Sequence, residues 1–310
     1  MWILLGVILF LIAAVLIISY VCFRLTFYVP NRDGLTRAPM NFLDESIYGK
    51  YLDQMHKWVE EVRQIPHEDV SITSFDGLTL RGTYYEYAPG APIELMFHGY
   101  RGNAERDLSG GVQRCFQLGR SALLVDQRAC GRSDGAVISF GINEHRDCLS
   151  WIAFMRQRFG EDVKIILTGI SMGASTVMIA AGADLPDNVI GVLADCGYDS
   201  ARRIIKIVIK RLKLPPALAY PFVRLGARLY GHFKLEEISP EEALKHSKVP
   251  VLIIHGEEDG FVPCDMGRVC YESCASPKKK FHTIPGAGHG LAYLTDPQNY
   301  LTVAGDFFSE

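Results

Sequence analysis

Three residues far apart in the chain have the types and surroundings that nucleophilic attack on a carbonyl requires. Ser171 stands between glycines in "GISMG", after the apolar run "KIILT" and before the small-residue run "GASTVMIAAG". A serine at the exit of a strand and the mouth of a helix is either an ordinary helix cap or a nucleophile held on a tight, strained turn. A serine hydroxyl needs a base near neutral pH, and the base needs an orienting acid. In a strand-turn-helix setting of this kind the order along the chain is serine, acid, histidine. "VLIIHGEEDGFVP" ends an apolar run and offers Glu257, Glu258 and Asp259 in the next loop; Asp259 starts the turn before Gly260 and is the first choice, with Glu258 as the fallback. "FHTIPGAGHGLAY" puts His289 in a glycine-rich loop, whereas His282 falls inside a strand and His255 precedes the acid. The backbone N–H of Met172, at a helix start, suits one oxyanion donor. "FHGYRGN" supplies the second in the N–H of Tyr100, with Gly99 letting the loop turn inward; His98 reads as structural.

The elements that must position these residues follow from the hydrophobic pattern. "EDVSITSFDGLTLRGTYYEY" is a pair of alternating runs around Asp76-Gly77, a hairpin signal. Apolar runs of strand length follow at 91–99, 121–128, 163–169, 189–197, 249–256 and 279–286, and helical spacing at 41–64, 103–118, 141–159, 172–183, 265–276 and 294–308. Near-continuous apolar strands alternating with helices predict one α/β domain, a mostly parallel sheet covered on both faces with the hairpin at one edge. The interval before Val249 is too long for a plain crossover. It holds an amphipathic helix over 202–213, with Ile204, Ile205, Val208 and Leu212 on one face, and a second helix over 217–233. This cap, about 200–247, is expected over the carboxyl ends of the strands. From Ser200 to Leu235 it has nine Lys or Arg and no acid, so its basic face meets either water or anionic lipid.

Residues 2–23 contain no charge and reach roughly 33 Å as a helix, enough to cross the hydrocarbon core. No basic residue precedes the run and no small-residue cleavage site follows, which favours an anchor over a removed signal. Arg24, Arg32 and Arg37 lie on the C-terminal flank, so the rest of the chain is expected on the cytoplasmic side. The expected division is an anchor at 1–24, a tether and leading helix at 25–65, and the main domain at 66–310. Removing residues 1–24 is then expected to leave a soluble, active protein. A net charge of −3 gives no sign of a nucleic-acid partner, and the eight cysteines show neither zinc-finger spacing nor a CxxC pair.

Taken together, "HGYRGN", "DQRACGRSDG", "GINEHRD", "GISMGAS", "HGEEDGFVP" and "GAGHG" resemble, in family order, the α/β-hydrolase superfamily and its small-cap serine hydrolases, Bem46-like or S33 aminopeptidase-like. The resemblance runs over about residues 66–309. It implies a serine hydrolase with no metal and no organic cofactor, acting on an ester, a thioester or a short peptide. It also implies that Arg128, Ser133 and Asp134 brace a loop in which Ala129 replaces the usual glycine. Esters are the first reading and peptides the second; a catalytically silent, membrane-tethered interaction protein is the reading from another class.

Overall fold

The apolar runs become the strands of one sheet. A computed structural model describes residues 1–30 and 48–309. The strands are β1 (Glu68–Thr73), β2 (Thr79–Tyr85), β3 (Ile93–Phe97), β4 (Ser121–Asp126), β5 (Ile165–Ile170), β6 (Val189–Asp195), β7 (Val251–Gly256) and β8 (Lys279–Ile284). They lie in the order β1-β2-β4-β3-β5-β6-β7-β8. The hairpin β1-β2 forms an edge and β2 also runs antiparallel to β4; every other pairing is parallel. β3, β4 and β7 are buried at every position, as strands covered on both faces must be.

Alternate residues of these strands feed cores on the two faces of the sheet. Leu95, Phe97, Leu167 and Val192 pack on one face against the helices Glu144–Phe159 and Met172–Ala180. On the other, Met96, Ala122 and Leu124 meet the helix Ala104–Gln117, while Leu193, Leu252 and Ile254 meet Pro297–Ser309. The helix expected over 41–64 is present as Leu52–Gln64 behind a 3-10 turn; its part before residue 48 lies outside the described residues.

The "DQRACGRSDG" loop is closed by charge. Arg128 donates to Asp147 at 2.6 and 2.7 Å and to Asp76 at 2.9 and 3.1 Å. Ser133 accepts from the Arg81 amide and donates to the Asp126 carbonyl. Ala129 sits at φ +62, the left-handed conformation that makes glycine the usual occupant.

The cap consists of the helices Ala201–Arg211 and Pro216–Leu229 and a short helix Pro240–Leu244. Ile204, Ile205 and Ile209 are buried, whereas Leu212, expected on that face, is 65% exposed. The helix ends at Arg211 and Lys213 takes φ +60, so the turn rotates Leu212 outward. Acids outside the acid-free interval neutralise part of its basic face: Arg203 pairs with Asp199 and Asp265, and Arg202 and Arg224 approach Glu236.

The N-terminal apolar helix Trp2–Thr26 is long and apolar enough to cross a membrane, but its C-terminal part is built into the domain. Ser19, Phe23 and Phe27 are buried. A side chain at Gly226 would meet the Ser19 carbonyl at 2.4 Å, so this helix and the second cap helix cross at backbone contact. The Tyr230 hydroxyl donates to the Leu16 carbonyl, and Phe27 meets Phe140 and Phe233 edge-on. Backbone bonds then continue the docking, Ile138 N–H to Phe27 C=O and Val29 N–H to Ala136 C=O, each 2.8 Å. A cut after residue 24 therefore removes the buried Ser19 and Phe23, which the sequence pattern placed in a membrane anchor separate from the domain.

Candidate active site

β5 ends at Ile170, and the chain reverses at Ser171 into the helix Met172–Ala180. Ser171 is held at φ +55, ψ −117, a strained conformation for a residue with a side chain. Its flanking glycines have no room to spare: a Cβ at Gly173 would lie 2.1 Å from the Phe97 carbonyl oxygen, and one at Gly169 would lie 2.2 Å from the Gly173 carbonyl. The turn therefore needs both glycines because strand, turn and helix are in backbone contact.

Ser171, His289 and Asp259 converge. His289 Nε2 is 2.9 Å from Ser171 Oγ, and His289 Nδ1 is 2.7 Å from Asp259 Oδ2. An ionised carboxylate only accepts, so Nδ1 carries the proton and Nε2 is left to accept from the serine hydroxyl. Asp259 Oδ1 accepts the Phe261 and Val262 amides at 2.8 Å each, which fixes the carboxylate in its loop. Burial alone would raise the Asp259 carboxyl; hydrogen bonding from His255 and His289 outweighs it and holds it below the usual carboxylate range. Glu257 and the fallback Glu258 are exposed on the same loop, and Glu257 takes the Thr283 hydroxyl instead.

Met172 opens its helix, and first-turn amides of a helix have no partner within it. The Gly102 N–H donates to the Gly99 carbonyl at 3.1 Å, closing the turn that carries Tyr100. A Cβ at Gly99 would lie 3.6 Å from that of Ser171, so this loop passes directly beside the serine. His98 supports the loop from below. Its Nδ1 donates to the Gly99 carbonyl at 2.7 Å, and its Nε2 accepts the Gln127 amide at 3.0 Å. Burial lowers its pKa and keeps it neutral for both bonds.

Ser171 and His289 open on a cavity of about 410 Å³. No residue of the cap, 200–247, lines it; the walls come from Tyr48, Met55, Trp58, Leu108, Ile170 and Leu294, among others. The cap packs instead beside the site, on Phe140, Met172 and Val262, and Arg211 donates to the Phe261 carbonyl at 3.0 Å. The segment read as a tether thus supplies part of the wall. Long-range contacts decide this, and no local pattern signals them. The role of His255 was also missed. It is the penultimate residue of β7, with Nε2 3.4 Å from Asp259 Oδ2 and 2.9 Å from the Val262 carbonyl. Its spacing of four residues before the acid was the available signal.

Among the described residues, Cys196, Asp259 and His289 offer donor atoms within 4.8 Å of one another. The carboxylate and imidazole already bond to each other there, and burial drives the Cys196 thiol well up, so the group fits an ion poorly.

A model of the alpha/beta hydrolase family matches residues 95–303. The chain belongs to the alpha/beta hydrolase family. This hydrolase is 26% identical to the protein YqkD of Bacillus subtilis, over 85% of the present chain and 86% of YqkD. It is 26% identical to the protein bem46 of Schizosaccharomyces pombe, over 79% and 77% of the two chains. The lysophosphatidylserine lipase ABHD12 of Danio rerio is 26% identical over 60% of the hydrolase and 48% of the lipase. Among solved structures, the esterase Pf2001 of Pyrococcus furiosus superposes with a TM-score of 0.66 at 21% identity, covering 81% of the hydrolase and 92% of the esterase. The hydrolase is thus Bem46-like in sequence, with the family's sheet and surrounding helices in structure.

Proposed function

We propose that this hydrolase is a membrane-anchored serine esterase that cleaves carboxylic esters or thioesters through an acyl-enzyme. The observation that carries the reading is the hydrogen-bonded line Ser171–His289–Asp259 at the mouth of a largely apolar cavity. In this reading Ser171 Oγ attacks the carbonyl carbon as its proton passes to His289 Nε2. The Tyr100 and Met172 amides hold the oxyanion, and Asp259 keeps the imidazole oriented and stabilises its charge. The tetrahedral intermediate expels the alcohol or thiol, which takes the proton from His289. Water, deprotonated by the same nitrogen, then releases the acid and restores Ser171. Arginines on the C-terminal flank of the apolar helix favour a cytoplasmic domain. The named activities of the zebrafish lipase and the Pyrococcus esterase lean the reading toward esters.

The test is turnover of p-nitrophenyl esters of increasing acyl length by the full chain in detergent, beside a panel of aminoacyl anilides. Ester turnover that rises with chain length is the expected result. Activity confined to the anilides would replace the esterase with a peptidase. Absence of both would favour the silent interaction protein.

Chain length should be read by the wall of the cavity. Gly110 and Gly111 lie inside the helix Ala104–Gln117, where a glycine costs about 1 kcal/mol relative to alanine. Their absent side chains make room for Trp58, 2.5 Å from a Cβ at Gly110, and for Met96 Cε, 2.2 Å from a Cβ at Gly111. Gly111→Ala is expected to push the flexible Met96 thioether into the cavity and move the ester optimum to shorter chains. An unchanged kcat/KM profile across the ester series would remove this wall from the substrate site.

A further inference from the structure

Residues 2–23 are the charge-free run read as the crossing, and its last third, Leu16–Phe23, is the stretch on which the second cap helix Pro216–Leu229 packs. A side chain at Gly226 would meet the Ser19 carbonyl and Phe23. Tyr230, just past the end of that helix, donates to the Leu16 carbonyl and sets its ring edge-on to Tyr20 at 5.1 Å. Later residues of the cap helix thus meet earlier residues of the apolar helix. The two run antiparallel, and the Leu229 end of the cap helix points toward the bilayer.

The level of the bilayer surface can be read from the same helix. The Arg24 guanidinium lies 4.1 Å from the centre of the Tyr28 ring and donates to the Tyr20 hydroxyl at 3.1 Å. Tyrosines grouped around a basic residue at the end of an apolar helix suit the headgroup layer. A crossing needs about 20 residues, so the stretch packed on the cap is part of it. From Phe23 back to Leu16 is roughly 10 Å along the helix. Tyr230, bonded to Leu16, therefore reaches below the headgroups rather than standing above them.

The outward side of the cap helix is apolar to match. Leu218, Phe222, Leu225 and Leu229 recur at helical spacing; Leu218 is 68% and Leu229 40% exposed, and Phe222 and Leu225 are half-buried. Tyr220, Val223 and Ala227 take the other side of the helix into the core. At 3.6 residues per turn, the outward stripe lies between Gly226, which meets the apolar helix, and Arg224 with Arg228. The stripe is thus continuous with the apolar helix along one edge and basic along the other. We propose that the C-terminal half of this cap helix is embedded in the bilayer beside the anchor, its stripe facing lipid acyl chains. The inference deepens the membrane-anchored reading and rests on residues 2–23 crossing the bilayer. A protein partner is the poorer occupant, because the medium beside the anchor at this depth is lipid. Arg228 and Lys234, exposed near the same end, set the limit of insertion. Their charged heads must reach lipid phosphates, which holds the helix within the outer 5–10 Å or so that interfacial helices occupy.

The test places the photo-reactive residue p-benzoylphenylalanine, one site at a time, at Leu225, Leu229, Val7 and Asp162 of the full chain. Each protein is reconstituted in vesicles of phosphatidylcholine and phosphatidylglycerol and irradiated, and its adducts are read by mass spectrometry. Val7 lies inside the crossing, and the exposed Asp162 precedes β5 at the opposite end of that strand from Ser171. Lipid adducts are expected at Val7, Leu225 and Leu229 in yields of the same order, with none at Asp162. Adducts at Val7 but none at Leu225 and Leu229 would keep the anchor and overturn the embedded cap. Cross-linked dimers at Leu225 or Leu229 in place of lipid adducts would also overturn it, giving the stripe to a second copy. No lipid adduct at Val7 would remove the anchor and the inference with it. Each labelled chain is first checked for a melting temperature near that of the parent. The two cap positions are independent, so either decides the matter if the other fails to fold.

Discussion

Ser171→Ala is expected to lower kcat on p-nitrophenyl esters by on the order of 10⁵-fold while leaving the fold intact. The size follows from the mechanism. Without Oγ no acyl-enzyme can form, and His289 has nothing to activate but water. The residual rate belongs to the oxyanion amides and to binding, which alone retain a modest advantage over water. Stability should move little, because alanine inherits the strained backbone at φ +55, ψ −117. Ser171→Gly adds an internal control. Glycine adopts that conformation without strain, which is worth about 1 kcal/mol or more, so this variant should be as inactive as Ser171→Ala and more resistant to thermal unfolding. His289→Ala should resemble Ser171→Ala in kcat, since the two act as one unit. Turnover by Ser171→Ala within tenfold of the wild type would take the serine out of the chemistry.

The second large effect is expected where the apolar helix enters the domain. Phe27→Ala should cost about 3–5 kcal/mol, the usual penalty for deleting a fully buried ring. For a domain of this size that lowers Tm by roughly 5–10 °C. Phe27 has no exposed surface and sits between Phe140 and Phe233 at ring distances of 5.7 and 5.2 Å. The same segment touches the loop that carries Tyr100. The Tyr100 hydroxyl donates to the Thr26 carbonyl at 2.7 Å, and Arg101 donates to the Leu25 and Tyr28 carbonyls at 2.9 and 3.1 Å. Truncation should therefore have a sharp boundary. A chain beginning at Ser19 keeps these contacts and should retain ester turnover. One beginning at Pro30 loses them all, and should lose stability and kcat together. Equal Tm and equal kcat in the two chains would show that the helix end is a passive tether after all.

What the sequence revealed and what it hid divide along one physical line. Ser171, Met172 and Gly173 announce themselves because a tight turn, a helix start and a close backbone approach each demand particular residues at neighbouring positions. Asp259 and His289 are legible for a similar reason, each being the polar residue of a glycine-bearing loop after an apolar strand. The sheet was legible because strands buried on both faces must be apolar nearly throughout. The cavity was not. Tyr48, Met55 and Trp58 reach it only because the helix Leu52–Gln64 packs on Ala104–Gln117, a contact between segments that carry no mark of each other. Leu212 was misplaced because a helical face was extended past a helix that stops at Arg211. Asp195 looked like the end of one more apolar strand; only the folded structure shows its carboxylate beside Tyr300 and at the wall of the cavity.

The most direct test of the central claim is to label the full chain with a fluorophosphonate and map the adduct by mass spectrometry. One phosphonylated residue is expected, Ser171, with labelling abolished in Ser171→Ala and slowed strongly in His289→Gln, because the probe needs an activated hydroxyl rather than an exposed one. No adduct on Ser171, or an adduct on another serine in a protein whose Ser171→Ala variant still cleaves esters, would contradict it.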